Sequence, residues 1–179
     1  LRSDSSRPWL LVLCLLAGAA ASAHVGPHGN VNARPTPGAT AAVMPGQRWH
    51  FTLATLDGER FVQSSRLPGP VLVNFWGRDC APCINELPRL AAFALANPQW
   101  TVLLVSTDAT QAASEFLTQR GITLTALRSG ANVTGLMRAA GNRSGGLPYS
   151  VALRDGIVCN AQLGELTDTT LQAWAASSC

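Results

Sequence analysis

The sequence predicts an α/β fold, with a central mixed β-sheet flanked by helices and an added β-hairpin on its N-terminal side. Three observations predict it. Short apolar runs at 71–76 and 100–106 have the look of strands buried on both faces, bounded by Pro70, Gly77 and polar residues. Segments of helical period follow each of them. Late in the chain, Tyr149–Leu153 and Ile157–Ala161 flank Arg154-Asp155-Gly156, a hairpin signal that adds antiparallel strands to an otherwise parallel arrangement.

Each element has its own justification. Trp49, Phe51 and Leu53 alternate with His50, Thr52 and Ala54; Asp57-Gly58 then turns the chain toward Phe61-Val62, so a hairpin is expected at a sheet edge. Val71–Trp76 is the expected central strand. Ala81–Ala96 is the expected first helix, with Ile84, Leu87, Leu90, Ala91, Ala94 and Leu95 near one face and Pro88 inside it as a kinking residue. A second helix is expected over Thr110–Arg120, capped by Asp108 or Thr110, with Phe116 and Leu117 inward and Gly121 as its stop. A short run at Ile122–Leu127 precedes a weaker helix, Val133–Ala140. After the late hairpin, Thr167–Ser177 closes the chain as a helix with Leu171 and Trp174 inward.

The bulk properties fit one domain with a real core, since 47% of the 179 residues are hydrophobic. The net charge of +3 comes from arginine alone, scattered rather than concentrated on one element, which argues against nucleic-acid binding. The histidines are His24, His28 and His50, without zinc-site spacing, so no metal is expected.

Arg2 and Arg7, the apolar stretch from Trp9 to Ala20, and Ala21-Ser22-Ala23 form a signal-peptide pattern, with cleavage expected after Ala23. The expected organisation is therefore a signal at 1–23, a flexible Pro/Gly/Ala/Asn-rich leader at 24–46, and one domain at 47–179. Membrane anchorage is the alternative if the segment is uncleaved, although the apolar run is short for a span. Either way the domain is expected in the periplasm, where disulfides persist. Cleavage removes Cys14 and leaves Cys80, Cys83, Cys159 and Cys179.

Cys80-Ala81-Pro82-Cys83 lies between a buried strand and a helix, the setting of a redox C-x-x-C rather than half a zinc ribbon. At a helix N-terminus, unpaired N–H groups and the helix dipole favour a thiolate on Cys80, while the first turn shields Cys83. Cys80 is thus the expected attacking sulfur and Cys83 the resolving one. Glu86 falls one turn beyond Cys83 on the same face, where its carboxylate can lie near the sulfurs.

With these residues in place, the run Val71-Leu72-Val73-Asn74-Phe75-Trp76-Gly77, the Cys80–Cys83 motif and Glu86-Leu87-Pro88 resemble the TlpA/ResA group of bacterial thioredoxin-like disulfide reductases. The likeness extends from about Trp49 to Trp174. It implies a thioredoxin-like fold and a thiol:disulfide oxidoreductase that needs no bound cofactor. It also implies that Glu86 is a buried glutamate tuning the cysteines and assisting proton transfer, a role that in thioredoxins proper falls to an aspartate at the position of Asn74. Pro148 matches a cis-proline facing the cysteine pair, and the Leu147 backbone is implied to pair with an extended substrate segment. Trp76, Asp79, Ala81 and Pro82 complete the expected contact surface. Asp79 departs from the large residue usual before the first cysteine, which leaves partner choice open.

By the same resemblance, the partners are disulfide-containing exported proteins, with apocytochrome c among the candidates and re-reduction by a membrane electron donor. An oxidase or isomerase carrying the same motif is an alternative. A copper-binding module using His24 and His28 is another, from a different functional class. Cys159, in the last strand, and Cys179, after the last helix, are expected to form a structural disulfide; its loop of about 21 residues would contribute around 3 kcal/mol. Two free thiols, or a relay to the first pair, are the other possibilities.

Overall fold

The computed structural model describes residues 45–177. The expected signal at 1–23, most of the leader with His24 and His28, and Cys179 lie outside the described residues.

Five strands form the central sheet: β3 (Pro70–Trp76), β4 (Thr101–Ser106), β5 (Thr125–Arg128), β6 (Tyr149–Arg154) and β7 (Ile157–Leu163), in the spatial order β5-β4-β3-β6-β7. β3, β4 and β5 are parallel, whereas β6 runs antiparallel to both β3 and β7. The sheet is therefore mixed, as the sequence predicts. Asp155 and Gly156, both at positive φ (52° and 73°), make the tight turn between β6 and β7, in keeping with the Asp-Gly signal.

β3 is buried along its whole length because both sheet faces are covered. Its alternation sends Val71, Val73 and Phe75 to one face and Leu72, Asn74 and Trp76 to the other. The Leu72 face packs on α1 (Ala81–Ala96), α2 (Thr110–Gln119) and α4 (Asp168–Ala176) through Leu87, Leu90, Phe93, Leu117, Leu171 and Trp174. The Val71 face packs on α3 (Val133–Ala139) through Met137 and on Trp49 and Phe51 from the N-terminal segment. Asn74 thereby points a polar side chain toward α1, which matters for the site.

The expected edge hairpin is present, and two local expectations are corrected. The hairpin forms a separate two-stranded sheet of β1 (Thr52–Ala54) and β2 (Phe61–Gln63). It meets the edge strand β5 through a bridge between Thr55 and Leu127 and a hydrogen bond from Leu56 N–H to Ala126 O at 3.0 Å. Trp49 and Phe51 serve as core residues ahead of it. Leu95 is 86% exposed, because the buried stripe of α1 is Cys83, Glu86, Leu87, Leu90 and Phe93, whose centre lies roughly 140° around the helix from Leu95. Helix α2 has Ala109 at its N-cap with no side-chain bond. Asp108, one of the two expected caps, instead turns its carboxylate to the backbone of Arg78, and Thr110 lies inside the helix as its first residue.

At the opposite edge, residues 46–49 run along the start of β7. Gly46 N–H donates to Val158 O, Val158 N–H to Gln47 O and Trp49 N–H to Gly156 O, each at 2.9 Å. Among the described residues, this pairing with β7 begins at Gly46.

Candidate active site

At the end of β3 the chain makes a close turn. Gly77 approaches β4 so tightly that a Cβ there would lie 2.9 Å from Thr107 Oγ1. Thr107 N–H donates to Trp76 O (2.9 Å), Arg78 N–H to Asp108 Oδ2 (2.8 Å) and Cys80 N–H to Gly77 O (3.2 Å). The loop is therefore delivered to Cys80 already braced from the neighbouring strand. Cys80 is the N-cap of α1, its Sγ accepting from Cys83 N–H at 3.3 Å. Pro82 sits in the first turn, where a missing N–H costs little.

Cys80 and Cys83 are joined by a disulfide with an S–S bond of 2.07 Å and a Cα–Cα distance of 5.2 Å. Cys80 is half-buried, whereas Cys83 is fully buried. The pair is thus asymmetric in access, as a sulfur at a helix start and one inside its first turn should be.

One turn further on, Glu86 is fully buried. Its Oε1 accepts from Asn74 Nδ2 at 2.6 Å, and its Oε2 accepts from Leu166 N–H at 2.7 Å. Asn74 Nδ2 also reaches Ser150 Oγ at 2.9 Å, because the register of β3 and β6 sets Ser150 directly opposite Asn74. Burial pushes the Glu86 carboxyl above the usual carboxylate range; Leu166 N–H and the Asn74 amide oppose it, Glu165 adds to the rise, and Arg89 opposes it. Glu86 is thus a buried, hydrogen-bonded carboxyl one helical turn beyond Cys83. Its donors come from different elements of the fold.

The Leu147–Pro148 peptide bond is cis. Tyr149 pairs with Phe75, which brings the preceding loop alongside the end of β3, and Leu147 Cδ1 would lie 3.6 Å from a Cβ on Gly77. Pro148 is buried, with its carbonyl accepting from Gly164 N–H at 2.8 Å. Asp79, Ala81 and Pro82 are exposed around the disulfide, and Leu147 is half-buried. Arg78 Nε lies 4.0 Å from Asp79 Oδ2, a solvent-screened contact of little energetic weight. Trp76 corrects the expectation of partner contact: it is fully buried, its ring 5.6 Å from that of Phe116, so it supports the loop from below.

A profile of the AhpC/TSA family matches residues 45–162. The chain belongs to the AhpC/TSA family. Membership in the AhpC/TSA family, together with the closed Cys80–Cys83 pair, makes it a thiol:disulfide oxidoreductase. Similar solved structures include StoA from Bacillus subtilis, 21% identical over 73% of this chain and 98% of that one, with a TM-score of 0.60. Another is a secreted Mycobacterium tuberculosis disulfide oxidoreductase homologous to E. coli DsbE (24% identity, 70% and 94% coverage, TM-score 0.59). A third is the thioredoxin domain of a Bacteroides vulgatus thiol-disulfide oxidoreductase (19%, 74% and 96%, TM-score 0.64). At such identities these likenesses establish the thioredoxin-like fold. The TlpA/ResA resemblance stands with them. Comparison with functionally curated proteins returned no match.

Several residues that shape this AhpC/TSA site carry little sign of it in the sequence. Asn142 is buried and organises the loop before Pro148: its Nδ2 donates to Gly146 O at 2.7 Å, and its Oδ1 accepts from Gly145 N–H at 2.9 Å and Ser144 Oγ at 3.0 Å. The turn-forming run Asn142-Arg143-Ser144-Gly145-Gly146 is its only signal. No atom lies within 4 Å of the Cβ position of Gly145, whose φ is +72°, so that side of the loop is open to a partner. Ser150 gives no signal of its own, and Asp108 signals a helix cap rather than a brace for the redox loop. Cys159, on β7, is disulfide-bonded, and Cys179, its expected partner, lies outside the described residues. Among the described residues no group of three or more His, Cys, Asp or Glu is placed to hold a metal, and no helix is long and apolar enough to cross a membrane.

Proposed function

We propose that this protein is an exported reductant of disulfides in partner proteins, cycling between the Cys80–Cys83 dithiol and disulfide. One observation carries the reading: an accessible Cys80 at a helix N-terminus is bonded to a buried Cys83, one turn from a buried glutamate. In the reduced protein the Cys80 thiolate attacks a sulfur of the partner disulfide. A Cys80–partner bond forms, the partner S–S bond breaks, and one partner thiolate leaves. Cys83 then gives its proton to Glu86 and attacks Cys80 Sγ. The Cys80–Cys83 bond forms, the mixed disulfide breaks, and the second partner thiolate leaves. Two electrons pass to the partner, and its thiolates take up two protons from solvent and Glu86.

A buried carboxyl with an elevated proton affinity suits that transfer, since it takes up a proton more readily than an exposed carboxylate does. Leu147 and Pro148 would align the partner segment, with Asp79, Ala81 and Pro82 forming the rim that selects it. Segment 1–23 would direct export, 24–46 would tether the domain at 47–179, and a Cys159–Cys179 disulfide would staple its end. Re-reduction then requires an electron donor in the membrane. Exported thiol proteins, apocytochrome c among them, are the proposed substrates.

The reduction potential of Cys80–Cys83 tests the direction. A value near or below about −270 mV supports a reductant, whereas one near about −120 mV makes the protein an oxidant and overturns the reading.

A further inference from the structure

The stretch that joins β7 to α4 is gripped by two side chains from one face of α1. Leu166 is fully buried, and both of its backbone polar groups are taken by that helix. Its N–H donates to Glu86 Oε2 at 2.7 Å, and its carbonyl accepts from Arg89 Nη1 at 2.6 Å. The spacing of Glu86 and Arg89 puts them on the same face of α1. The same Arg89 Nη1 donates to Glu165 Oε1 at 2.8 Å, and Arg89 Nε lies 3.3 Å from Asp168 Oδ1 in the first turn of α4. Gln162 Nε2 adds a bond to Glu165 O at 2.8 Å.

We infer that Arg89 is a positioning residue for Glu86: by holding the Leu166 carbonyl, Glu165 and Asp168 together, it keeps the Leu166 N–H aimed at the buried carboxylate. The physical reason is that a hydrogen bond to a buried carboxylate weakens steeply with misalignment, and a loop residue has no ladder to fix its direction. Arg89 supplies that fixity with a planar guanidinium that can engage three oxygens at once. The groups acting on Glu86 are Asn74 from β3, with Ser150 of β6 behind it; Leu166 N–H and Glu165 from the connecting loop; and Arg89 from α1. Asp168 of α4 acts on it only through Arg89. Loosening Leu166 removes a donor to the ionised form and leaves burial and Glu165 in place, so the carboxyl should hold its proton more tightly; loss of the Arg89 charge acts in the same direction, and it is the Leu166 amide that separates positioning from charge alone.

The inference rests on the reading of Glu86 as the proton partner of Cys83 only for its consequence in catalysis. Its test is therefore made on Glu86 itself. In the oxidised protein, the Glu86 carboxyl is titrated by carbon-13 NMR and the protection of the Leu166 amide is measured by hydrogen exchange, in the parent, Arg89→Met and Arg89→Lys. Arg89→Met keeps the packing of the stem and loses every donor. It should raise the midpoint of Glu86 by about one pH unit, a tenfold tighter hold on the proton, and strip protection from the Leu166 amide. Arg89→Lys should recover part of both. A Leu166 amide as protected in Arg89→Met as in the parent overturns the inference, and an unmoved Glu86 midpoint does so equally. If Arg89→Met does not fold, Asp168→Asn removes one anchor of Arg89 at a distance from Glu86 and should move both readouts in the same directions by a smaller amount. A Glu86→Gln variant whose reduction potential keeps the parent's pH dependence would instead remove the catalytic role of Glu86, while leaving the Arg89 measurements to stand or fall alone.

Discussion

Asn74 and Glu86, twelve residues apart in sequence, meet at 2.6 Å inside the core, and neither has any exposed surface. Burial raises the carboxyl of Glu86 above its unfolded value, so over the interval between the two the folded protein binds more protons than the unfolded chain. Stability from this group is fully present below the unfolded value and is lost as pH rises through the folded one. Urea unfolding of the oxidised protein as pH rises from about 4.5 should show that decline, and Glu86→Gln should flatten it. The Asn74 side chain can turn its oxygen toward the amide that this substitution introduces, so the variant keeps a partner there. An identical pH profile in parent and variant would contradict the raised carboxyl.

The difference in access between the two sulfurs predicts the trapping pattern. Cys83→Ser should accumulate mixed disulfides with partner proteins through Cys80, seen as reducible adducts on non-reducing gels and located by mass spectrometry. Cys80→Ser should accumulate none through the site, because Cys83, the remaining sulfur of the pair, is fully buried. Adducts through Cys83 in Cys80→Ser would reverse the assigned roles.

Tyr149 is the single tyrosine of the chain, so its ionisation can be read without background from another. Burial pushes its hydroxyl up to about 12, and the hydroxyl donates to Ala140 O at 2.6 Å. The ultraviolet band of tyrosinate should accordingly appear near that pH, well above the ordinary midpoint of about 10. Tyr149→Phe leaves a buried carbonyl without this donor and should cost about 1–2 kcal/mol in urea unfolding.

Asn142 binds Gly146 O, Gly145 N–H and Ser144 Oγ, and so fixes the loop that carries Pro148. Asn142→Ala should destabilise the protein by about 1–3 kcal/mol. On the proposed role of Leu147 and Pro148 in aligning a partner segment, it should also slow reduction of a protein disulfide under conditions where the variant remains folded, because the loop that carries them loses its shape. Unchanged exchange rates would confine Asn142 to a structural role.

Much of this architecture is legible because burial leaves a strong imprint on residue choice. β3 and α1 emerge from apolar period and from Cys80-Ala81-Pro82-Cys83, and the β6–β7 turn from Asp155-Gly156. The illegible parts are those decided by tertiary partners. Leu95 is apolar and helical, yet the stripe that meets the sheet runs through Glu86 and Phe93 instead, since a hydrogen-bonded carboxyl can replace an aliphatic side chain in a core. Asp108 reads as a helix cap from sequence, but Arg78 N–H from the redox loop claims its carboxylate. Ser150 becomes meaningful only when the β3–β6 register sets it against Asn74. Arg89 carries no local sign that its guanidinium reaches residues 76 to 79 positions later.

The segment from Gly46 to Leu56 touches the first residues of β7 at one side of the sheet and β5 at the other, with Trp49 and Phe51 buried between. An open five-stranded sheet has two borders whose free N–H and C=O groups invite pairing with a second molecule. Here one short stretch of chain occupies part of both. Its loss would therefore do more than thin the core: it would uncover two templates for strand addition at once, leaving a thiol:disulfide oxidoreductase prone to self-association.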